Sequence, residues 1–83
     1  MKKQIDKNIG IPLYEQILEI IYNDIQNGVF AYGEIIPKEL DLCKMYNVSR
    51  PTIRKAMDIL VQNGNLIRIK GKGTYVSSDK KIK

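Results

Sequence analysis

The sequence predicts an α+β domain, mainly helical, in which three helices are followed by a small antiparallel β-hairpin. Three observations carry that expectation. Apolar residues recur at helical spacing in three stretches between Leu13 and Asn63. The second and third stretches are joined only by Asn47-Val48-Ser49. Beyond Leu66 the period changes to two, and Gly71-Lys72-Gly73 interrupts the alternation once.

Residues 1–10 show no periodic pattern and end in Gly10, so they are expected to be a flexible leader to a domain over residues 11–77. Pro12 suits the first turn of a helix, where no backbone donor is needed. Helix one is expected from Leu13 to Asn27. Leu13, Ile17, Ile20, Ile21 and Ile25 form its apolar face with Leu18 beside them, and Glu15, Gln16, Glu19, Asn23 and Asp24 form the other. Gly28 is a natural stop. Val29 to Pro37 reads as a connector, with a turn at Tyr32-Gly33 and a very short extended piece at Glu34-Ile35-Ile36.

Helix two is expected from about Lys38 to Tyr46, with Leu40, Leu42, Cys43 and Tyr46 as its apolar members. Glu39 suits the positive end of its dipole. Asn47 accepts a left-handed backbone better than most residues and can make the tight turn. Ser49 is a good N-cap for helix three, and Pro51 in the first turn forfeits no hydrogen bond. Ile53, Ala56, Met57 and Leu60 share one face, and Asn63-Gly64 ends the helix. In the first strand, Leu66 to Lys70, Leu66, Arg68 and Lys70 fall on one side and Ile67 and Ile69 on the other. Thr74-Tyr75-Val76 is the returning strand. A helix-turn-helix over about 38–63 and a wing over about 66–77 follow, with 78–83 as a linker or tail.

Composition narrows the function. The chain has 83 residues, one domain's worth, and 43% are hydrophobic, an ordinary globular share. A domain of this size buries only about 60% of the surface its unfolded chain exposes, so the core is thin. Cys43 is the only cysteine, which excludes an internal disulfide and fits a reducing compartment. No apolar run is long enough to cross a bilayer, and Met1-Lys2-Lys3-Gln4-Ile5-Asp6 leads into no signal region, so the cytoplasm is the expected location. With no histidine and one cysteine, the usual zinc sites and catalytic triads are excluded; no metal, no cofactor and no enzyme activity is expected. Charge is uneven. Residues 1–43 hold four lysines and seven acids, net −3; residues 44–83 hold ten Lys/Arg and two acids, net +8. A basic half points to a polyanion such as nucleic acid, or to a merely solubilising surface.

The helix-turn-helix spacing weighs between these. Leu42, Tyr46, Val48, Ile53 and Ala56 form the seam, Cys43 is small enough for the helix crossing, and Asn47 turns the chain. That packing leaves Arg50, Pro51, Thr52, Arg54 and Lys55 on the outer, N-terminal part of helix three, the part of a recognition helix that reaches base edges. Arginine grips guanine bidentately, worth about 1–3 kcal/mol of discrimination. Ser49 and Thr52, with the first-turn amides, can hold a phosphate, although Ser49 also reads as a plain cap. Arg68, Lys70 and Lys72 lie in or beside a glycine-flanked tip suited to approach a sugar-phosphate wall. Alone, such a tip reads rather as an ordinary hairpin whose charges deter edge pairing; following a helix-turn-helix, it reads as a wing. A protein-interaction module is the alternative to a DNA binder. The scarcity of aromatics beside Arg50, Arg54 and Lys72 speaks against it.

Four separated motifs resemble one family. They are Pro12-Leu13-Tyr14-Glu15-Gln16-Ile17, Gly33 to Glu39, Val48-Ser49-Arg50-Pro51-Thr52-Ile53-Arg54-Lys55-Ala56, and Gly71-Lys72-Gly73-Thr74-Tyr75-Val76. Over about residues 12–77 the chain resembles the DNA-binding domain of GntR-family transcriptional regulators. The resemblance implies a three-helix winged helix-turn-helix and a homodimer on a pseudo-palindromic DNA operator, acting as a metabolite-responsive repressor. It implies that Arg50 and Arg54 read bases or hold phosphates, that Ser49 and Thr52 hold phosphates, and that Gly71-Lys72, with Gly73 and Thr74 behind them, enters the minor groove.

Departures from the family pattern are local. Tyr32-Gly33 stands where Pro-Gly is usual, and Lys38 where a serine is usual. Leu40 replaces a frequent arginine, which removes one phosphate contact, and Lys38 is the candidate replacement. Pro51 can make only apolar or positional contacts, and Lys70 replaces a frequent glutamine, adding charge at the wing. Members normally carry a C-terminal domain that binds a small-molecule effector and dimerises, so the chain is expected to be the front of a longer regulator. The subfamily with a chorismate-lyase-like effector domain is the nearest in pattern.

Overall fold

In a computed structural model, residues 5, 6 and 9–77 are described. The expected tail at 78–83 lies outside them, as does most of residues 1–8. The order is α1 (Leu13–Gln26), α2 (Glu39–Tyr46), α3 (Arg50–Gln62), β1 (Leu66–Ile69) and β2 (Gly73–Val76). The expected helix ends move by a residue: Asn27 caps α1 and Lys38, with extended backbone, precedes α2. Lys70 lies beyond β1, because its register ends where Ile69 faces Gly73.

Each boundary has a local cause. The Ser49 hydroxyl accepts the Thr52 amide and so caps α3, while Pro51 sits in the first turn. Asn47 ends α2 in the left-handed conformation, φ 55°, which turns the chain at once toward α3. β1 and β2 pair antiparallel, Leu66 opposite Val76 and Arg68 opposite Thr74. The short extended piece expected at Glu34-Ile35-Ile36 adds to the far side of β2. Ile35 bridges to Tyr75, the Ile36 amide donates to the Thr74 carbonyl at 2.9 Å, and the Val76 amide donates to the Glu34 carbonyl at 2.9 Å.

One core holds these elements. α1 and α3 pack together through Ile17, Ile21 and Ile25 against Ile53, Met57 and Leu60, all at most 2% exposed. Leu42 joins from α2, Ile36 from the connector, and Leu66 and Val76 from the hairpin. Tyr46, Val48 and Cys43 pack against that cluster as partly buried neighbours, so the expected seam between α2 and α3 is present.

Two expectations are corrected. Leu40 is not a core residue; it is 53% exposed, because two residues from Leu42 it lies on nearly the opposite side of the helix. Gln16 does not lie on the solvent face of α1. It is buried, and its amide grips the chain ahead of the helix. Oε1 accepts the Asp6 amide at 2.7 Å, and Nε2 donates to the carbonyls of Asp6 at 2.8 Å and Ile11 at 2.9 Å. Within the segment expected to be a loose leader, Asp6 is thus tied to α1, and Ile5 packs on the core. Among the described residues, no helix is long and apolar enough to cross a membrane.

Candidate nucleic-acid interface

The start of α2, the outer face of α3 and the hairpin enclose an open groove of about 670 Å³. Lys38 reaches it from the residue before α2, Arg50 and Arg54 from α3, and Arg68, Lys70, Gly71, Gly73 and Thr74 from the hairpin. The cationic end of the recognition helix and the glycine-flanked finger therefore face one space.

The α3 terminus is built as its sequence suggests. Ser49 Oγ lies 2.9 Å from Thr52 Oγ1 and accepts the Thr52 amide at 3.4 Å, a long bond. Ser49, Arg50 and Pro51 are exposed and Thr52 half-buried, so the terminus is open to a ligand. At the hairpin tip the Lys72 amide donates to the Ile69 carbonyl at 2.9 Å, which closes the turn and leaves the Lys72 side chain exposed. Gly71 has φ 81° and Gly73 φ 136°, conformations that a side chain disfavours.

Three basic residues are placed otherwise than the sequence suggested. Lys55 does not line the groove; its Nζ lies 4.2 Å over the Tyr14 ring on α1, a cation–π contact. Arg68 lines the groove, but its guanidinium is already held by acids: Nη2 lies 2.6 Å from Asp58 Oδ1 and 3.8 Å from Glu39 Oε2. Arg54 is also paired, its Nη2 3.2 Å from Glu39 Oε1. Sequence reasoning assigned no site role to Glu39 or Asp58. The available signal was weak: Asp58 is four residues after Arg54, one helical turn on the same face. Nothing in one dimension brings Glu39 to Arg68.

Three helices, a tight left-handed turn between the last two, and an antiparallel finger beside the recognition helix define a winged helix-turn-helix domain. Residues 13–76 match the family model described as "Bacterial regulatory proteins, gntR family", and the chain belongs to that family. It is 52% identical over 76 residues to the uncharacterized HTH-type transcriptional regulator YurK of Bacillus subtilis, covering 92% of this chain and 31% of that protein. It is 52% identical over 68 residues to a probable fructoselysine utilization operon transcriptional repressor of Escherichia coli, covering 82% of this chain and 28% of that protein. The chain thus spans less than a third of the length of these curated relatives. Among solved structures, the DNA-binding domain of AraR in complex with operator ORE1 superposes with a TM-score of 0.79 at 35% identity, covering 93% of this chain and 94% of that one.

Proposed function

We propose that this domain binds double-stranded DNA sequence-specifically and regulates transcription, as a repressor in the cytoplasm. The observation that carries the reading is the shared groove: Arg50 and Arg54 from α3, Lys38 from the start of α2, and Lys70 from the hairpin line one space. The operator-bound relative with the same fold supports it. α3 lies in the major groove. Arg50 and Arg54 reach base edges or flanking phosphates, Ser49, Thr52 and Lys38 hold phosphates, and Pro51 packs against bases or sugars without donating. Lys72, carried by Gly71, Gly73 and Thr74, enters the adjacent minor groove. Lys55 and Arg68 act less directly, through α1 and through the acids described above.

The protein acts as a homodimer on a pseudo-palindrome, each copy reading one half-site. A small-molecule effector would act through a further domain, consistent with relatives more than three times the aligned length. The test is selection of bound sequences from random duplexes, followed by binding of the selected duplex across salt concentration. A single enriched sequence and a steep loss of affinity with salt are expected. Binding without enrichment and without salt dependence would instead fit a protein-interaction module.

A further inference from the structure

We infer that Glu39 is a positioning residue: it aims Arg54 at base edges and withholds both Arg54 and Arg68 from the phosphate backbone. The inference rests on the DNA-binding reading above. Its basis is a line of four charged side chains from three elements. Arg54 of α3, Glu39 of α2, Arg68 of β1 and Asp58 of α3 are joined by contacts of 3.2, 3.8 and 2.6 Å. Each Glu39 carboxylate oxygen faces a different arginine. The Glu39 side chain is 21% exposed and Arg54 61%, so the carboxylate is the recessed partner and the guanidinium the presented one.

Glu39 is well placed to act as a fixed point. It is the first residue of α2 and is separated from buried Ile36 only by Pro37 and Lys38. A guanidinium is planar, with five N–H donors in a rigid fork. Holding Arg54 by Nη2 restricts the plane of that fork and leaves its other donors for the paired acceptors of guanine. Charge argues the same way. Two arginines and two carboxylates along this line sum to zero, so a phosphate arriving there gains no net attraction. Among the groove-lining residues, the net positive charge is left to Lys38, Arg50 and Lys70. The groove therefore leaves its unpaired positive charge to residues other than the two arginines that Glu39 holds.

The test compares three single variants, and Arg54→Ala with and without Glu39→Gln, on the full protein, with a selected preferred duplex and a shuffled one, by fluorescence anisotropy across salt. Glu39→Gln should bind the shuffled duplex more tightly, with a salt slope about one unit steeper per phosphate gained. Its preferred-to-shuffled affinity ratio should fall about tenfold, within the discrimination of one bidentate arginine. Glu39→Asp keeps the charge and shortens the reach; it should lower the ratio with no change in slope. Glu19→Gln removes the same charge from the exposed side of α1 and should shift both affinities by one factor, leaving the ratio intact. Adding Glu39→Gln to Arg54→Ala should not lower the ratio further.

The inference is overturned if Glu39→Gln behaves as Glu19→Gln does, or if Glu39→Asp keeps the full ratio. Thermal unfolding of each variant identifies any that fail to fold, and Glu39→Asp carries the test if Glu39→Gln does. A wild-type protein that prefers no sequence defeats the DNA-binding reading itself, a separate outcome.

Discussion

Replacing Gln16 with methionine should uncouple the chain ahead of α1 from the helix. Methionine matches the side chain in length and flexibility but offers no amide. Three hydrogen bonds vanish, two to Asp6 and one to Ile11. A net intramolecular hydrogen bond is worth about 1 kcal/mol, and a buried group left unmatched costs more. Asp6 and Ile11 are exposed, so water can replace the lost partner there and the lower value applies. The thioether recovers part of the loss through apolar burial. The expected cost is about 1–3 kcal/mol, or roughly 5–20 °C in melting temperature for a domain of this size. Urea unfolding followed by circular dichroism measures it. Deleting residues 1–8 removes Asp6 and leaves the Ile11 bond, so in that background Gln16→Met should cost less than half as much. The difference is the coupling energy of the tie, about 1–2 kcal/mol. An equal cost in the two backgrounds would refute the reasoning, since the loss would then come from packing around α1 alone.

Other predictions concern the seam, the finger and pH. Ile53 is fully buried in the core, so Ile53→Ala should lose about 2–5 kcal/mol and Ile53→Val about 0.5–1.5 kcal/mol by urea unfolding. Arg54→Ala should weaken binding to a preferred duplex about 5- to 150-fold more than to a shuffled one, while Lys72→Ala should weaken both alike and flatten the salt slope by about one unit; gel shifts across salt distinguish the two. Burial, reinforced by the nearby charge of Asp24, raises the Tyr46 hydroxyl above its ordinary value of 10.0. The folded state then holds that proton more tightly than the unfolded chain. Its contribution is complete below about pH 10 and is lost as pH climbs through the raised value. Tyr46→Phe should make alkaline unfolding less steep.

Much of this architecture was legible because its signals are local. Ser49 and Pro51 mark the start of α3, Asn47 marks the turn, and the isoleucine spacing of α1 marks its buried face. Long-range polar pairing was not. Gln16 reads as one more polar residue on a solvent face, because the backbone groups it binds come from chain that folds back over the helix. Glu39 and Arg68 are far apart in sequence, and only the return of the hairpin brings them together. Lys55 shares the charge and location of its neighbours but sits one step around the helix, where Tyr14 waits. Leu40 was assigned to the core by residue type, whereas the inward face of α2 is the one that carries Leu42, Cys43 and Tyr46, and Leu40 points away from it. Composition located the cationic surface; the acids that partition it were visible only once the elements were assembled.

The segment Gly33 to Ile36 lies along β2 and runs through Pro37 straight into α2. Finger and helix start are thus two ends of one short strap. A finger anchored on that side cannot flex toward a narrow or wide minor groove without dragging the beginning of α2 along. If the finger enters the minor groove as proposed, accommodation to different duplex widths falls to rocking of the entire body on the sugar-phosphate rails, and sequences that set groove width should tune affinity even where no side chain touches a base.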